Sequence, residues 1–247
     1  MISKNKLKEF AAYKLQKNCD MEQVFVVEGD KMAAEALTSG FEIVALCGTD
    51  SWLKAHMVEC IDAVYEVTDA ELERITLQRS PNQVWILLRR PKEDPFTKIP
   101  TGPILALDTL QDPGNLGSII RTADWFGIRH ILCSQGTVSC YNPKVVQSTM
   151  GGIFRTNVYY GDLITMLTRC REAGKEVYGA LLNGENVYQQ QLEKEAVLVI
   201  GNESKGISTQ VAQTVTKRLT IPNIGGSCES LNAAAAAAIL CSEIIRP

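Results

Sequence analysis

Residues 221–246 read IPNIGGSCESLNAAAAAAILCSEIIR, in which a glycine-rich turn and a polar cluster precede six consecutive alanines. Alanine has the highest helix propensity, so the run predicts a helix. Its small side chains let another backbone or a ligand approach closely. Because the first turn of a helix also presents N–H groups without partners inside the helix, the polar cluster at its start indicates a ligand site.

The bulk composition is that of a soluble globular protein. The chain has 247 residues, 45% hydrophobic and 21% charged, enough for one large or two modest domains. It lacks the run of roughly 18 apolar residues that a membrane helix needs. The N-terminus also lacks the apolar core of a signal peptide. We therefore expect a cytoplasmic protein with no membrane partner.

The cysteines and histidines argue against a metal site. The chain has eight cysteines, none in a C-x-x-C pair, and only two histidines. This pattern predicts no zinc or other bound metal, and scattered, reduced, mostly buried thiols.

The net charge of −3 argues only weakly against a nucleic-acid partner, because the positive charge is clustered. Five lysines fall within residues 1–20, and Arg89, Arg90 and Lys92 form a second basic group. Such local patches can bind phosphates. A solvated helix face followed by a linker is an equally good explanation.

A proline-rich segment divides the chain. Four prolines fall within residues 91–103, which read PKEDPFTKIPTGP, and this composition is typical of a stiff, extended linker. We predict a first domain over residues 1–92, a linker over 93–103 and a second domain over 104–247. Helical and strand patterns alternate in the first domain, which indicates a small αβα fold.

Apolar strands alternating with helices dominate the second domain. The predicted strands cover 104–107, 130–133, 177–182, 197–200 and 219–221. Strands this apolar indicate an α/β fold with a parallel sheet buried on both faces. Glycine-bearing turns follow residues 107, 200 and 221, at the carboxyl ends of strands, where such sheets bind ligands.

The sequences of these turns argue against dinucleotide-binding, serine-hydrolase and P-loop sites. The chain has no G-x-G-x-x-G dinucleotide fingerprint and no G-x-S-x-G hydrolase elbow, and the glycine pair at 201 and 206 lacks the P-loop lysine. The remaining glycine, asparagine, serine and glutamate residues suit backbone recognition of a small polar ligand.

Taken together, the three turns resemble the three motifs of the SpoU (TrmH-type) RNA 2′-O-ribose methyltransferases of the SPOUT class. The matching segments are DPGNLGSIIRTAD (residues 112–124), VIGNESKGIS (residues 199–208) and IPNIGGSCESLNAA (residues 221–234). The resemblance implies a parallel-sheet SPOUT domain with a C-terminal trefoil knot. It also implies a homodimer formed through this domain. Residues 1–92 resemble, more loosely, a ribosomal-protein-like RNA-binding domain.

The resemblance implies transfer of a methyl group from S-adenosylmethionine to a ribose 2′-hydroxyl of RNA, with ribosomal RNA favoured. Transfer RNA is an alternative substrate. A non-catalytic RNA-binding or ribosome-assembly protein and a small-molecule methyltransferase are further alternatives.

The resemblance also assigns site residues. Positions matching the cofactor-binding residues, with their neighbours, are Leu181, Gly201, Asn202, Ile221 and Leu231. Positions matching the catalytic residues are Asn115, Arg121, Glu203, Ser230 and Asn232.

Several of these residues also have ordinary structural explanations. Arg121 could act as a base or hold a phosphate, or simply pair with Asp124 on a helix surface. Asn115 could cap a helix beginning at residue 116, and Ser230 is a natural N-cap for the alanine helix. Ser204 replaces a glycine usual in the family, which would alter the turn if that position required a positive φ.

Overall fold

A computed structural model describes residues 2–56, 58, 61–92 and 95–246. The remaining positions, which include Cys60 and the first two residues of the predicted linker, lie outside the described residues. The chain has the predicted α/β fold and divides into two compact units. The first comprises Met1–Lys92 and Tyr141–Phe154, and the second comprises Glu93–Cys140 and Arg155–Pro247. The domain limits at 92 and 104 stay predictions.

The elements follow one another along the chain as a mixture of helices and strands. The helices are α1 (Lys4–Ala12), α2 (Gln16–Glu22), α3 (Asp30–Thr38), α4 (Asp50–Ala55), α5 (Asp69–Ile75), α6 (Pro113–Trp125), α7 (Pro143–Ser148), α8 (Leu163–Glu172), α9 (Thr209–Ala212) and α10 (Ala233–Ile245). The strands are β1 (Val24–Glu28), β2 (Ile43–Gly48), β3 (Val64–Glu66), β4 (Val84–Arg89), β5 (Ile104–Leu107), β6 (His130–Ser134), β7 (Asn157–Gly161), β8 (Val177–Asn186), β9 (Val197–Ile200) and β10 (Lys217–Thr220).

The first unit contains a four-stranded sheet in the order β1-β4-β2-β3, antiparallel except for the β2–β3 pair. Alternate residues of β1 enter two different cores, as the two-residue period of a strand requires. Val24 and Val26 pack with residues of α1, α2 and α5. Phe25 and Val27 pack with residues of α3, α4 and α7. Helices therefore cover both faces of this sheet, as expected for an αβα fold.

The second unit contains a six-stranded sheet in the order β10-β8-β9-β5-β6-β7, with every pair of neighbours parallel. All residues of β5 and β9 are buried, as expected for a parallel sheet covered on both faces. Residues of α8 and α9 form a core with one set of strand side chains. Helix α10 packs against α6 and β9. The trefoil knot stays a prediction.

The described part of the predicted linker packs within the second unit. Phe96 is buried in the core that includes α8. The guanidinium of Arg169 donates to the carbonyl oxygens of Phe96 and Thr97, each at 2.6 Å. The backbone N–H of Gly102 donates to the carboxylate of Glu195. These contacts order residues 95–103 by side-chain packing and hydrogen bonding as well as by proline content.

Other expectations from composition can be compared with the structure. Over residues 2–56, 58, 61–92 and 95–246, no helix is long and apolar enough to cross a membrane. Within the same ranges, no three potential ligand side chains from histidine, cysteine, aspartate and glutamate are placed to hold a metal ion. Of the described cysteines, all are free thiols and only Cys228 is exposed, which confirms the prediction of mostly buried thiols.

Candidate active site

A cavity of about 440 Å³ lies beside β8, β9 and β10, at the edge of the sheet where the second and third glycine-bearing turns emerge. Its wall is formed by residues 180–183, 200–207 and 219–221, together with Glu229, Ser230, Leu231, Ala233, Ala236 and Leu240. This volume is within the range of small-molecule sites. The first and last residues of the wall, Ala180 and Leu240, are more than 50 residues apart in the sequence. The cavity therefore forms only when the chain folds.

A break in strand pairing opens one side of the cavity. β10 pairs with β8 at Tyr178 and Gly179, and the register then jumps to Glu185. Residues 180–184 are therefore left out of this ladder, and residues 180–183 line the cavity. A bulge of this kind redirects side chains at the end of a strand. It places Leu181 in the wall.

The five residues predicted to bind the cofactor all line this one cavity: Leu181, Gly201, Asn202, Ile221 and Leu231. Two of the five predicted catalytic residues, Glu203 and Ser230, line it as well. The other three, Asn115, Arg121 and Asn232, lie outside the wall, although Asn115 is hydrogen-bonded to Glu203 of the wall and Asn232 is hydrogen-bonded to Asn115.

Gly201 permits a close approach of backbone that no other residue would allow. A Cβ atom placed on Gly201 would lie 2.1 Å from the carbonyl carbon of Gly206. The turn between them closes through reciprocal backbone hydrogen bonds of 2.9 Å between Asn202 and Gly206. Gly206 has a φ of +68°, which favours glycine. Both glycines are therefore required by the geometry of the turn.

The substitution at Ser204 is compatible with this turn. The described non-glycine residues with positive φ are Gln23, Phe96, Thr109 and Met150, so Ser204 is outside the left-handed region. Its backbone N–H donates to Oδ1 of Asn202 at 3.0 Å. The expected cost of serine at a glycine position is thus absent.

Glu203 connects the first and second turns. Its Oε1 accepts hydrogen bonds of 3.1 Å from Nδ2 of Asn115 and from the backbone N–H of Asp112. Partial burial alone would raise the pKa of the Glu203 carboxyl. Hydrogen bonds from its own backbone N–H, from Asn115 and from the N–H groups of Asp112 and Gln111 outweigh burial and lower the pKa below its usual value of 4.5. Glu203 is thus held as a carboxylate that orients Asn115.

Asn115 and Asn232 join the first and third turns. Nδ2 of Asn232 donates to Oδ1 of Asn115 at 2.9 Å. Oδ1 of Asn232 accepts from the backbone N–H groups of Ala234 and Ala235. A continuous series of hydrogen bonds therefore runs from Glu203 through Asn115 and Asn232 to the first turn of α10.

The predicted caps are wrong at two positions. Asp112, not Asn115, is the N-cap of α6, and its carboxylate accepts from the backbone N–H of Asn115. Asn232, not Ser230, is the N-cap of α10. In both cases the helix begins at a different residue from the one predicted, and an aspartate or asparagine side chain satisfies its first N–H groups. Ser230 is instead exposed in the cavity wall.

Arg121 lies on the exposed side of α6. The structural alternative, an ion pair with Asp124, is not formed, and Asp124 instead binds Arg129 and Arg155. Among the described residues, Arg121 has no hydrogen-bond or ion-pair partner. Its guanidinium is therefore available to a ligand.

Two residues that sequence reasoning missed, Asp108 and Thr109, hold the second turn in place. The buried Asp108 carboxylate accepts from the backbone N–H of Ser208 at 2.8 Å and from Oγ1 of Thr109 at 3.0 Å. Thr109 has a φ of +57°, which is unusual for a β-branched residue. Its carbonyl oxygen accepts from Nδ2 of Asn202 at 2.7 Å. An aspartate directly after a fully buried parallel strand was the available signal.

Two known protein families match this chain. Residues 102–242 match the SpoU rRNA Methylase family. The chain belongs to this family. Residues 4–85, which lie in the first unit, match the MRM3-like substrate binding domain.

Individual relatives cover nearly the whole chain. A relative from Bacillus subtilis, named 23S rRNA (guanosine(2553)-2'-O)-methyltransferase RlmP, is 30% identical over 95% of this chain and 94% of its own length. A putative RNA methyltransferase of the TrmH family from Porphyromonas gingivalis is 39% identical, with a TM-score of 0.90 and coverage of 99% of this chain and 98% of that one. An AdoMet-bound rRNA methyltransferase from Sinorhizobium meliloti is 28% identical, with a TM-score of 0.88 and coverage of 100% and 96%.

Proposed function

We propose that this SpoU family member transfers a methyl group from S-adenosylmethionine to a ribose 2′-hydroxyl of RNA, and that ribosomal RNA is the substrate. The observation that carries the proposal is the convergence of all five predicted cofactor residues on one cavity. The hydrogen-bonded series of Glu203, Asn115 and Asn232 beside that cavity also supports it. The names of the Bacillus subtilis and Sinorhizobium meliloti relatives support the RNA class and the cofactor.

The residues of the cavity fit S-adenosylmethionine. The side chains of Leu181, Ile221 and Leu231 offer apolar surface for an adenine ring, and Gly201 leaves backbone groups accessible. Polar groups of residues 202–205 face the same space and suit the ribose and amino-acid parts of the cofactor. When bound, the cofactor supplies a methyl group already activated by its sulfonium.

The protein must then position the ribose and help to remove the proton of its 2′-hydroxyl. Arg121 is a poor base because a guanidinium is effectively always protonated. We assign it to gripping the phosphate of the target nucleotide and polarising the hydroxyl. Arg121 is exposed and has no hydrogen-bond or ion-pair partner within the part of the chain that the structure describes, and both properties suit these tasks.

The other predicted catalytic residues organise the site. Asn115 is oriented by Glu203 on one side and by Asn232 on the other, so its side chain is fixed at the base of α6. Ser230 has an exposed hydroxyl in the cavity wall. We assign it to contact with the substrate ribose or the cofactor.

We propose that the protein acts as a homodimer through residues 104–247 in the cytoplasm. Four large apolar side chains among the described residues of this region are at least half exposed, and a second copy would cover them: Trp125, Leu182, Ile224 and Leu231. Sedimentation equilibrium tests this proposal. A single-chain mass at micromolar concentration would contradict it.

Titration calorimetry with S-adenosylmethionine tests the cofactor assignment. We expect saturable binding that is competed by S-adenosylhomocysteine. The alternative of a non-catalytic RNA-binding protein predicts no heat of binding at any accessible concentration.

A further inference from the structure

Three charged side chains are among the described residues that line the cavity: Glu203, Lys205 and Glu229. The carboxylate of Glu203 is already held by the side chain of Asn115 and the backbone N–H of Asp112. Within the described ranges, the side chains of Lys205 and Glu229 have no hydrogen-bond or ion-pair partner, and they do not pair with each other. Two opposite charges therefore line one cavity with no partner from the described part of the chain.

The second turn fixes the backbone of Lys205. Its N–H donates to Oδ1 of Asn202 at 3.1 Å. Asn202 is itself held by a 2.7 Å bond from its Nδ2 to the carbonyl oxygen of Thr109 and by the reciprocal backbone bonds with Gly206. The side chain of Lys205 therefore lines the cavity from an ordered turn.

The third turn fixes the backbone next to Glu229. Nδ2 of Asn223 donates to the carbonyl oxygens of Gly226 at 3.0 Å and of Cys228 at 3.2 Å, which orders the chain directly before Glu229. Three residues after Glu229, Asn232 caps α10. Side-chain hydrogen bonds therefore hold this short segment on both sides of Glu229.

The charges in the wall match the amino-acid end of S-adenosylmethionine. This end carries an ammonium and a carboxylate on one carbon atom, so both signs of charge are needed to bind it. Lys205 is the one cation among the described lining residues, and Glu229 is the carboxylate there that lacks a partner. The apolar side chains of Leu181, Ile221 and Leu231 suit the adenine end of the same molecule.

A phosphate of RNA is a poorer match for Lys205 than a carboxylate of the cofactor. The lowered pKa of Glu203 keeps that residue ionised at neutral pH, so the described wall holds two carboxylates and one ammonium. A wall with excess negative charge repels a phosphate. It attracts S-adenosylmethionine, in which the sulfonium and the ammonium outnumber the carboxylate.

We propose that Lys205 binds the α-carboxylate of S-adenosylmethionine and that Glu229 binds its α-ammonium. Neither residue is among the positions that the family resemblance assigns to the cofactor. This inference rests on the proposed function, because it concerns the cofactor of the same cavity.

Titration calorimetry of the full-length protein with three ligands separates the two contacts. Decarboxylated S-adenosylmethionine keeps the ammonium and lacks the carboxylate, and 5′-methylthioadenosine lacks both. We expect Lys205→Met to weaken binding of S-adenosylmethionine about 5- to 10-fold and to leave the affinities for the other two ligands unchanged. Glu229→Gln should weaken binding of S-adenosylmethionine and of its decarboxylated form, and leave the affinity for 5′-methylthioadenosine unchanged.

The matched control variants are Lys194→Met and Glu172→Gln, which remove exposed charges of the second unit outside the cavity wall. Neither should change any of the three affinities. The melting temperatures of Lys205→Met and Glu229→Gln should equal that of the wild type, because neither side chain has a partner in the described ranges.

Two results would overturn the assignment of Lys205. One is an equal loss of affinity for S-adenosylmethionine and 5′-methylthioadenosine, because the variant would then have altered the cavity as a whole. The other is unchanged affinity for S-adenosylmethionine together with weaker binding of a labelled ribosomal RNA fragment in fluorescence polarisation, which would assign this lysine to a phosphate.

The outcomes separate this inference from the proposed function. If the wild-type protein binds S-adenosylmethionine and both variants bind it equally well, only this inference fails. If the wild-type protein does not bind S-adenosylmethionine, the proposed function fails and this inference fails with it.

Discussion

The side-chain amide of Asn232 donates a 2.9 Å hydrogen bond to the side-chain carbonyl of Asn115, across 117 residues of sequence. Asn232 caps α10 and Asn115 lies in the first turn of α6. Asn115 also donates to Glu203. The two hydrogen bonds together join all three glycine-bearing turns. Neither helix could shift without breaking the bond between the two asparagines.

A double-mutant cycle measures this contact. Asn232→Ala removes the cap of α10 and should lower the free energy of unfolding by about 1 kcal/mol. With Asn115→Ala as the second change, we expect a coupling energy of about 0.5–1.5 kcal/mol in denaturant unfolding. Ser118→Ala, at an exposed position of α6, is the control for Asn115. Strict additivity of the two asparagine variants would contradict the contact.

Arg121→Ala should abolish methyl transfer and leave the affinity for S-adenosylmethionine nearly unchanged. The physical reason is that Arg121 has no partner among the described residues and lies outside the cavity wall. The melting temperature should also stay unchanged. Arg171→Ala, at an exposed arginine of α8, controls for loss of surface charge. Full activity of the Arg121 variant would refute its assignment.

Gly201→Ala should weaken cofactor binding by more than tenfold and lower the melting temperature. The added methyl group would lie 2.1 Å from backbone atoms of Gly206, so the turn must open. The control is Gly226→Ala, where the nearest atom would lie at an ordinary 3.4 Å. Calorimetry and thermal unfolding of both variants provide the comparison. Equal cofactor affinities would show that the close approach is unimportant.

Glu203 gives the site a predicted pH dependence. Its pKa is lowered below 4.5 in the folded protein, so its carboxylate contributes stability above that value. The contribution is lost as the pH falls through the folded pKa. The melting temperature of the wild type should therefore approach that of Glu203→Gln below about pH 4.5.

Asn115→Ala serves as the matched variant for this pH effect, because it removes one donor to Glu203. We expect a smaller difference between pH 7 and pH 4 in that background. A gap between wild type and Glu203→Gln that stays constant with pH would contradict the assignment.

The sequence predicted the sheet well because its inner strands are short and wholly apolar. The predicted limits of the strands at 104–107 and 197–200 match β5 and β9. β7 was missed, because none of its residues is buried and its apolar stretch covers only residues 158–160. The predicted strand at 177–182 continues to Asn186, beyond a bulge that only pairing with β10 reveals.

The residues of the candidate site could be proposed from the sequence, but the hydrogen bonds between them could not. Local patterns suggest a cap wherever a small polar residue precedes a helix, and Asn115 and Ser230 both satisfied that pattern. Which residue caps a helix depends on where the backbone turns. The bonds from Glu203 to Asn115 and from Asn115 to Asn232 join segments about 90 to 120 residues apart and have no local signature. The positive φ of Thr109 is equally invisible in sequence.

Transfer of a labelled methyl group tests the central claim most directly. The full-length protein is incubated with S-adenosylmethionine labelled in its methyl group and with unmodified ribosomal RNA, and the RNA is digested to nucleosides. Transfer RNA and Arg121→Ala serve as parallel controls. We predict label in a 2′-O-methylnucleoside from ribosomal RNA alone, and none with the variant. Label on a base, or no transfer by the wild-type protein, would contradict the account.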